Sequence, residues 1–154
     1  MEYRKLDISY RVLDLDELLF RDRELMNMAL EVLDNAYSPY SHFKVACAVK
    51  TKSGKIFLGT NQENIAYPSG MCAERVALFN AGTSKQKPTS LFIVAKDENN
   101  DFATAFPCGA CRQVMMEFQT NISKQNIKVM ILTKEEKVVY FESVNDLLPF
   151  SFVF

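Results

Sequence analysis

The chain has 154 residues, a formal net charge of −1, 48% hydrophobic residues and 24% charged residues. This length and composition fit one globular domain with a real hydrophobic core, and the near-neutral charge argues against broad electrostatic binding to nucleic acid or acidic lipid. The longest apolar runs are too short to span a membrane, and the charged N-terminus lacks a signal-peptide core. We therefore expect a single domain, residues 1–154, in the cytoplasm, with no nucleic-acid or membrane partner.

The first half of the chain predicts one helix and one β-hairpin. Apolar residues recur at helical spacing over residues 16–36, and a proline-containing loop, YSPYSHF, follows. Residues 43–51 and 55–61 are apolar and β-branched, and Gly54 between them is available for a turn with positive φ. Residues 1–15 have no pattern that assigns them a role.

The second half alternates helices and strands. Helices are predicted over residues 72–82, ending at Gly82, and over residues 107–121, with Pro107 in the first turn. Further strands are predicted over residues 90–96, 127–134 and 137–143. The apolar tail, residues 144–154, is expected to pack against the domain. Strands that alternate with helices predict an α/β fold with a mixed sheet.

Three of the four cysteines stand at predicted helix starts. Cys108 and Cys111 form a C-x-x-C pair on one helix, and Cys72 begins another. If the two helix starts face each other, three sulfurs meet, and three protein ligands with one open position are typical of a catalytic zinc site. Helix N-termini also stabilise the thiolate form that binds metal. Cys47 alternates within the strand VACAV and is interpreted as a core residue.

Charged residues flank these cysteines. Glu74 follows Cys72 by two positions, so it would lie near the metal without binding it and could act as general acid and base. The simpler interpretation is a first-turn carboxylate that favours the helix dipole. Arg75 and Arg112 are candidates to compensate the negative charge of three thiolates on Zn²⁺. The compensating role is favoured for Arg75, whereas Arg112 could equally be a solvated surface residue. His42, the only histidine, is interpreted as a loop residue.

The combination of C-x-E and P-C-x-x-C is the zinc deaminase signature, and the sequence resembles the small homotetrameric cytidine deaminases. Four segments carry the resemblance: PYSHFKVACAV, NQENIAYPSGMCAER, PCGACRQ and DLLPFSF. The similarity covers roughly residues 25 to 152. It departs from the family pattern at Lys44, Ala46, Gln62 and Ile65. The resemblance implies a three-layer α/β/α domain with a mixed, mostly five-stranded sheet.

The resemblance also implies an activity and its residues. The family hydrolyses cytidine and deoxycytidine to uridine and deoxyuridine in pyrimidine salvage, with one Zn²⁺ per subunit. Cys72, Cys108 and Cys111 would be the ligands, and Glu74 would protonate N3 and carry a second proton to the leaving ammonia. Asn61 and Glu63 would bind the ribose, Phe43 would pack on the pyrimidine, and the backbone at Ala73 would read the base edge. Tyr67 and Phe152 would line a neighbouring subunit's site.

Three alternatives remain open from the sequence. A deaminase for a nucleoside antibiotic such as blasticidin S shares C-A-E and P-C-x-x-C, although AER and NQENIAYP are closer to the nucleoside enzymes. A thiol–disulfide oxidoreductase would use Cys108 and Cys111 but leaves Cys72 and Glu74 unexplained. A zinc-stabilised binding module without chemistry would require a fourth protein ligand.

Overall fold

A mixed β-sheet forms the centre of this computed structural model, which describes residues 1–152. Its strands are β1 (Arg11–Leu13), β2 (Lys44–Thr51), β3 (Ile56–Thr60), β4 (Pro88–Lys96), β5 (Lys128–Leu132) and β6 (Val138–Phe141). Their spatial order is β1-β6-β5-β4-β2-β3. Only β4 and β5 run parallel, and the other neighbouring strands are antiparallel.

Helices cover both faces of the sheet. They are α1 (Phe20–Val32), α2 (Ala73–Thr83) and α3 (Gly109–Glu117). Because side chains alternate along a strand, β4 serves both faces. Its Ile93 packs in the cluster with α2 and α3, and its Phe92 packs in the cluster with α1. The expected three-layer α/β/α architecture is confirmed.

Among residues 1–152 the sheet has six strands, one more than the mostly five expected. The extra strand is β1, which lies within residues 1–15, where no strand was predicted. Its three residues pair antiparallel with β6, Val12 opposite Val139. Arg11 supports it by an ion pair of 2.5 Å with Glu142 and by its guanidinium, which lies 4.2 Å from the centre of the Tyr140 ring. These contacts join residues far apart in the chain, which local patterns do not reveal.

The first helix is shorter than predicted, and a 3₁₀ turn lies on either side of it. Residues 16–36 contain α1 flanked by single 3₁₀ turns at Leu15–Glu17 and Leu33–Asn35. The predicted stop of α2 at Gly82 was also wrong. The helix continues to Thr83, and the left-handed residue beyond it is Lys85, with φ of 54°.

The last helix differs from the expectation at both ends. Pro107 lies before the N-cap residue Cys108 rather than in the first turn, and the α-helical part ends at Glu117. Residues Phe118–Ser123 continue as a π-helix. Gln119 holds this turn in place, because its side-chain oxygen accepts hydrogen bonds from the N–H groups of Ile127 and Val144, both at 3.0 Å.

The hairpin turn and the tail agree with the sequence more closely. Gly54 has φ of 85°, as the turn required. Val144 and Leu147 in the tail are buried, whereas Phe150 and Phe152 are exposed, and residues 153–154 of the predicted tail lie outside the described residues. Within residues 1–152, no helix has the length and apolar character needed to cross a membrane.

Candidate active site

Three sulfur atoms meet where α2 and α3 begin. Sγ of Cys108 lies 3.9 Å from Sγ of Cys72 and 3.5 Å from Sγ of Cys111, and all three lie within 4.8 Å of one another. Around a tetrahedral zinc with Zn–S bonds of about 2.3 Å, sulfurs are about 3.8 Å apart, so this donor set fits zinc in both chemistry and spacing. Cys47 is buried in β2 and is not part of the group.

The two helix starts present the sulfurs. Cys72 and Cys108 are the N-cap residues of α2 and α3, and Cys111 lies in the first turn of α3. The start of α2 rests directly on β3, because a Cβ at Gly59 would lie 2.5 Å from the carbonyl oxygen of Ala73. A glycine on the strand therefore lets the ligand helix approach the sheet, and the helix N-termini favour thiolate at both cysteines.

Hydrogen bonding makes Cys72 acidic. A hydrogen bond from the Cys111 thiol and another from Nη2 of Arg75, 3.6 Å from Sγ of Cys72, lower the pKa of the Cys72 thiol to about 5, despite partial burial. The pKa of Cys111 is raised well above its ordinary value, because this thiol is the donor to Cys72 and is buried. Arg75 therefore lies beside the sulfur cluster, and its compensation of thiolate charge stays a prediction.

Arg112 has different partners. Its Nε donates to the carbonyl oxygen of Pro107 at 2.8 Å, and its Nη1 donates to that of Leu147 at 2.9 Å. The guanidinium thus joins the loop that precedes Cys108 to the C-terminal segment. Its hydrogen bonds to backbone carbonyls indicate an anchoring role, and the compensation of thiolate charge expected of it stays a prediction.

Glu74 is a buried carboxylate, with 5% of its surface exposed, in the first turn of α2. Burial raises the pKa of its carboxyl group above the ordinary value, and the negative charge of the nearby Cys72 adds to this effect. A raised pKa lets a carboxyl group hold a proton more readily than an exposed carboxyl group does, which suits a residue that must accept and return protons. Its position and environment therefore suit proton transfer better than helix capping alone.

A cavity of about 520 Å³ opens beside the sulfurs, within the usual size range of small-molecule sites. It is lined by nine of the residues predicted for the site: Phe43, Asn61, Glu63, Tyr67, Cys72, Ala73, Glu74, Arg75 and Cys108. Phe152 lies elsewhere, where its backbone N–H and carbonyl group pair with the Gln113 side chain of α3 at 3.1 and 2.8 Å. The loop residue His42 is also outside this cavity and outside the sulfur group.

The side chain of Asn61 joins two strands at the cavity wall. Its Nδ2 donates to the carbonyl oxygen of Phe43 at 2.9 Å, and its Oδ1 accepts from the N–H of Val45 at 2.8 Å. These bonds fix the start of β2, and with it the backbone that carries the Phe43 ring. Asn61 therefore already has a structural role before any sugar is bound.

Glu63 holds the loop next to β2. Its carboxylate accepts hydrogen bonds from the N–H groups of Tyr40 and Ser41, at 3.0 and 3.3 Å, and from the Ser41 hydroxyl. Partial burial raises the pKa of Glu63, but the Ser41 and Tyr40 hydrogen bonds outweigh it and leave that pKa below its ordinary value. The carboxylate is thus ionised and held at the cavity mouth.

Sequence reasoning missed part of the wall. The lining residues that it did not single out are Tyr40, Val45, Asn64, Gly70, Met71, Thr104, Ala105 and Phe106. Thr104–Phe106 could have been found, since these residues directly precede the loop of the C-x-x-C ligands. Of the departures from the family pattern, Gln62 lines the cavity. The other three do not: Lys44 pairs with Asp34 at 2.7 Å, Ala46 is buried on the α1 face, and Ile65 is 83% exposed.

Comparisons with known proteins agree with this geometry. The family model for the "Cytidine and deoxycytidylate deaminase zinc-binding region" matches residues 20–130. A probable cytidine deaminase of Dictyostelium discoideum is 39% identical over 114 residues, which are 74% of this chain and 71% of that protein. A cytidine deaminase of Halalkalibacterium halodurans is 40% identical over 97 residues, 62% of this chain and 71% of the relative.

The crystal structure of cytidine deaminase from Burkholderia pseudomallei superposes with a TM-score of 0.72 at 36% identity, covering 84% of this chain and 97% of that one. The structural similarity therefore extends over nearly the whole of the solved protein. With its three converging cysteines, its buried glutamate and a family match that spans most of its length, this chain belongs to the cytidine and deoxycytidylate deaminase family.

Proposed function

We propose that this protein is a zinc-dependent hydrolase that converts cytidine and deoxycytidine to uridine and deoxyuridine, releasing ammonia, in pyrimidine salvage. One observation carries the proposal: a buried glutamate of raised pKa lies in the first turn that follows a metal-ligating cysteine, in the wall of a nucleoside-sized cavity. A thiol–disulfide oxidoreductase has no use for that glutamate. A binding module without chemistry has no use for such a cavity beside the metal ligands.

Cys72, Cys108 and Cys111 hold the metal in this proposal. A zinc ion there supplies the Lewis acidity that activates water for addition to C4 of the base. Arg75 donates to Cys72 and withdraws negative charge from the thiolate group. Three thiolates must stay reduced to bind metal, so the proposal places the protein in a reducing compartment such as the cytoplasm.

Glu74 moves the protons. As water adds to C4, Glu74 accepts one water proton and passes it to N3 of the pyrimidine. It then takes the remaining proton of the added hydroxyl group and delivers it to the exocyclic amine, which leaves as ammonia while C4 becomes the carbonyl of the product. Burial raises the pKa of Glu74, which helps the carboxyl group hold each proton between the two transfers. The backbone at Ala73 lies in the same wall, where it can read the polar edge of the base.

The sugar is bound at the other side of the cavity. Asn61 retains a second Nδ2 proton, and the Glu63 carboxylate offers about four acceptor sites, so both can bind ribose hydroxyls while they hold the wall. Phe43 packs on the pyrimidine ring from the strand start that Asn61 fixes. In this proposal the residues that recognise the sugar are already positioned before the nucleoside arrives.

We also propose that the whole chain forms one deaminase domain and assembles as a homotetramer in which neighbours complete each site. Exposed aromatic side chains support this, because Tyr67 is 83% and Phe152 is 69% exposed. Tyr67 lines its own cavity and is largely exposed, so a second subunit can reach it. The backbone of Phe152 pairs with the Gln113 side chain of α3.

A direct assay tests the proposal. Purified protein is incubated with cytidine, deoxycytidine or blasticidin S, and the loss of ultraviolet absorbance is followed, with zinc content and light-scattering mass measured on the same sample. We expect turnover of the two nucleosides, one zinc per chain and the mass of four chains. A strong preference for blasticidin S would refute the substrate, and full activity at the mass of one chain would refute the tetramer. Activity that depends on a reversible disulfide, without zinc, would refute the reaction itself.

A further inference from the structure

An exposed N-terminal arm without helix or strand, residues 4–10, leads into β1 at the edge of the sheet. It lies outside the family match, which begins at residue 20. The arm has no strand partner among residues 1–152, and β1 has only β6 beside it, so the outer edge of β1 is open. Open strand edges present unpaired N–H and C=O groups and are templates for pairing with another chain.

The arm and β1 share an apolar stripe. Four alternating residues form it, each at least half exposed: Leu6 (53%), Ile8 (50%), Tyr10 (61%) and Val12 (52%). Val12 pairs with Val139, and the ring of Tyr10 lies 5.8 Å from that of Phe141, so this end of the stripe adjoins the core that α2 and α3 cover. The stripe therefore meets the edge of this core at Tyr10 and Val12, and Leu6 and Ile8 continue its alternation towards the N-terminus.

β1 itself is firmly attached. Besides the ladder to β6, Arg11 contacts Glu142 and the Tyr140 ring, and Asp14 pairs with Lys137 at 3.0 Å. The arm has only local ion pairs, such as Lys5 with Asp7 at 2.9 Å. A fixed edge strand of three residues is thus preceded by a longer arm, residues 4–10, that carries the same alternation.

We propose that two copies of this chain pair through this segment as antiparallel strands, with Ser9 on the two-fold axis. Each arm then lies along the β1 edge of the other copy. Leu6 stands opposite Val12 of the second copy and Ile8 opposite its Tyr10, which extends two apolar rows across the sheet. No free edge remains on β1 of either copy.

The charged residues favour this strand register over the registers centred on nearby residues. With Ser9 on the axis, Asp7 faces Arg11 and Arg4 faces Asp14, and each attraction occurs twice by symmetry. An axis at Asp7 sets that aspartate against itself, and an axis at Ile8 sets Lys5 against Arg11. An axis at Tyr10 moves Asp7 opposite Leu13 and loses its attraction to Arg11. Like charges directly opposite are destabilising in antiparallel pairs, so only the Ser9 register satisfies both the apolar and the charged faces.

Cysteine cross-linking tests the register. In the zinc-loaded full chain, Ser9→Cys places two thiols directly opposite each other, at Cα separations of about 4.5–5.5 Å that a disulfide accepts. Asp7→Cys is the matched control, because its thiol faces Arg11 instead. The unmodified chain measures any background from the native cysteines. Mild oxidation and non-reducing electrophoresis then report the covalent dimer.

We expect Ser9→Cys to give a covalent dimer in most chains and Asp7→Cys to give no more than the unmodified protein. Adding Ile8→Lys to Ser9→Cys should abolish the dimer without changing deaminase activity, since an edge lysine opposes strand pairing and Ile8 is remote from the site. Equal cross-linking by both single variants, a maximum at Ile8→Cys or Tyr10→Cys, or a dimer that survives Ile8→Lys would overturn the proposal. No dimer at Ser9→Cys would also overturn it, and would mean that something other than a second arm covers the edge.

Discussion

The starts of α2 and α3 are similar in sequence, but their side chains make different contacts. Each helix has a cysteine at its N-cap and an arginine three or four residues later. At α2, Arg75 donates to the ligand sulfur and the buried Glu74 faces the cavity. At α3, Arg112 donates to two backbone carbonyls.

The difference teaches that the two ligand helices divide the site's tasks. The α2 start is pressed against β3 and carries Arg75 beside the sulfurs and the buried Glu74, to which the proposed function assigns charge compensation and proton transfer. The α3 start provides two of the three sulfurs and is joined through Arg112 to the C-terminal segment. A motif with cysteine and arginine therefore specifies a ligand but not what its arginine contacts. The same substitution made at the start of each helix should therefore have different effects on zinc affinity and on stability.

The largest effect is expected from removing a cysteine ligand, which both helices supply. Changing Cys72, Cys108 or Cys111 to Ala should strip zinc and activity, because each supplies one of three ligands. Metal analysis and cytidine turnover measure both losses. Cys47→Ala is the matched control, since this buried thiol in β2 should leave zinc in place. If Cys47→Ala also loses metal, the ligand assignment is wrong.

Glu74→Gln should isolate the chemistry of α2. We expect zinc, fold and oligomer to persist while kcat falls by ~10² or more, because general acid–base catalysis typically supplies 10² to 10⁴. Glutamine keeps the shape and can still donate a hydrogen bond, so KM should change less than kcat. Steady-state kinetics on a sample of known zinc content provide the measurement. Near-normal kcat in metal-replete protein would contradict proton transfer by Glu74.

The two arginines sharpen the comparison. Arg75→Gln should weaken zinc affinity or activity about 10- to 100-fold, the usual effect of removing a partner of a metal ligand. Arg112→Gln should lower the free energy of unfolding by about 1–3 kcal/mol through lost charge-assisted hydrogen bonds, with a smaller effect on zinc affinity. Competition with a chelator and denaturant unfolding separate the two outcomes. Equal losses of zinc affinity in Arg75→Gln and Arg112→Gln would show that the two arginines do not differ in their effect on the metal site.

Two glycines give the smallest effects. Gly59→Ala would place a Cβ 2.5 Å from backbone atoms of α2, so it should cost about 1–3 kcal/mol of unfolding free energy and disturb the Cys72 ligand. Gly109→Ala, at the first residue of α3, meets nothing within 4 Å and should instead stabilise by about 0.4–1 kcal/mol. Thermal unfolding of the zinc-loaded variants checks both. A neutral Gly59→Ala would mean that α2 is not pressed on β3.

Much of the fold and the centre of the site could be predicted from the sequence. Within the described residues 1–152, hydrophobic periodicity located the three α-helices and five of the six strands, because each buries a regular apolar face. Cysteine spacing located the sulfur group, since helix geometry brings C-x-x-C sulfurs together. The third sulfur, from Cys72, needed the assumption that the two helix starts face each other, which the structure confirms.

The rest depended on contacts between distant parts of the chain. β1 is three residues long and is fixed by β6, so nothing local identifies it. The end of α2 was misplaced because Lys85, not Gly82, adopts the left-handed conformation. The partners of Asn61, Glu63 and Arg112 are backbone groups of other segments, and residue type alone does not name them.

The spacing of the sulfur atoms that suits zinc also makes the zinc-free chain prone to oxidation. Sγ of Cys108 and Sγ of Cys111 are 3.5 Å apart, and Cys108 is exposed. Bound metal occupies these sulfurs, whereas in a zinc-free chain under air only a small movement separates them from a disulfide bond. Protein stripped of zinc by a chelator should therefore lose the capacity to be reactivated by added zinc unless a reductant is present. The stability of stored protein then depends on bound metal as well as on the fold.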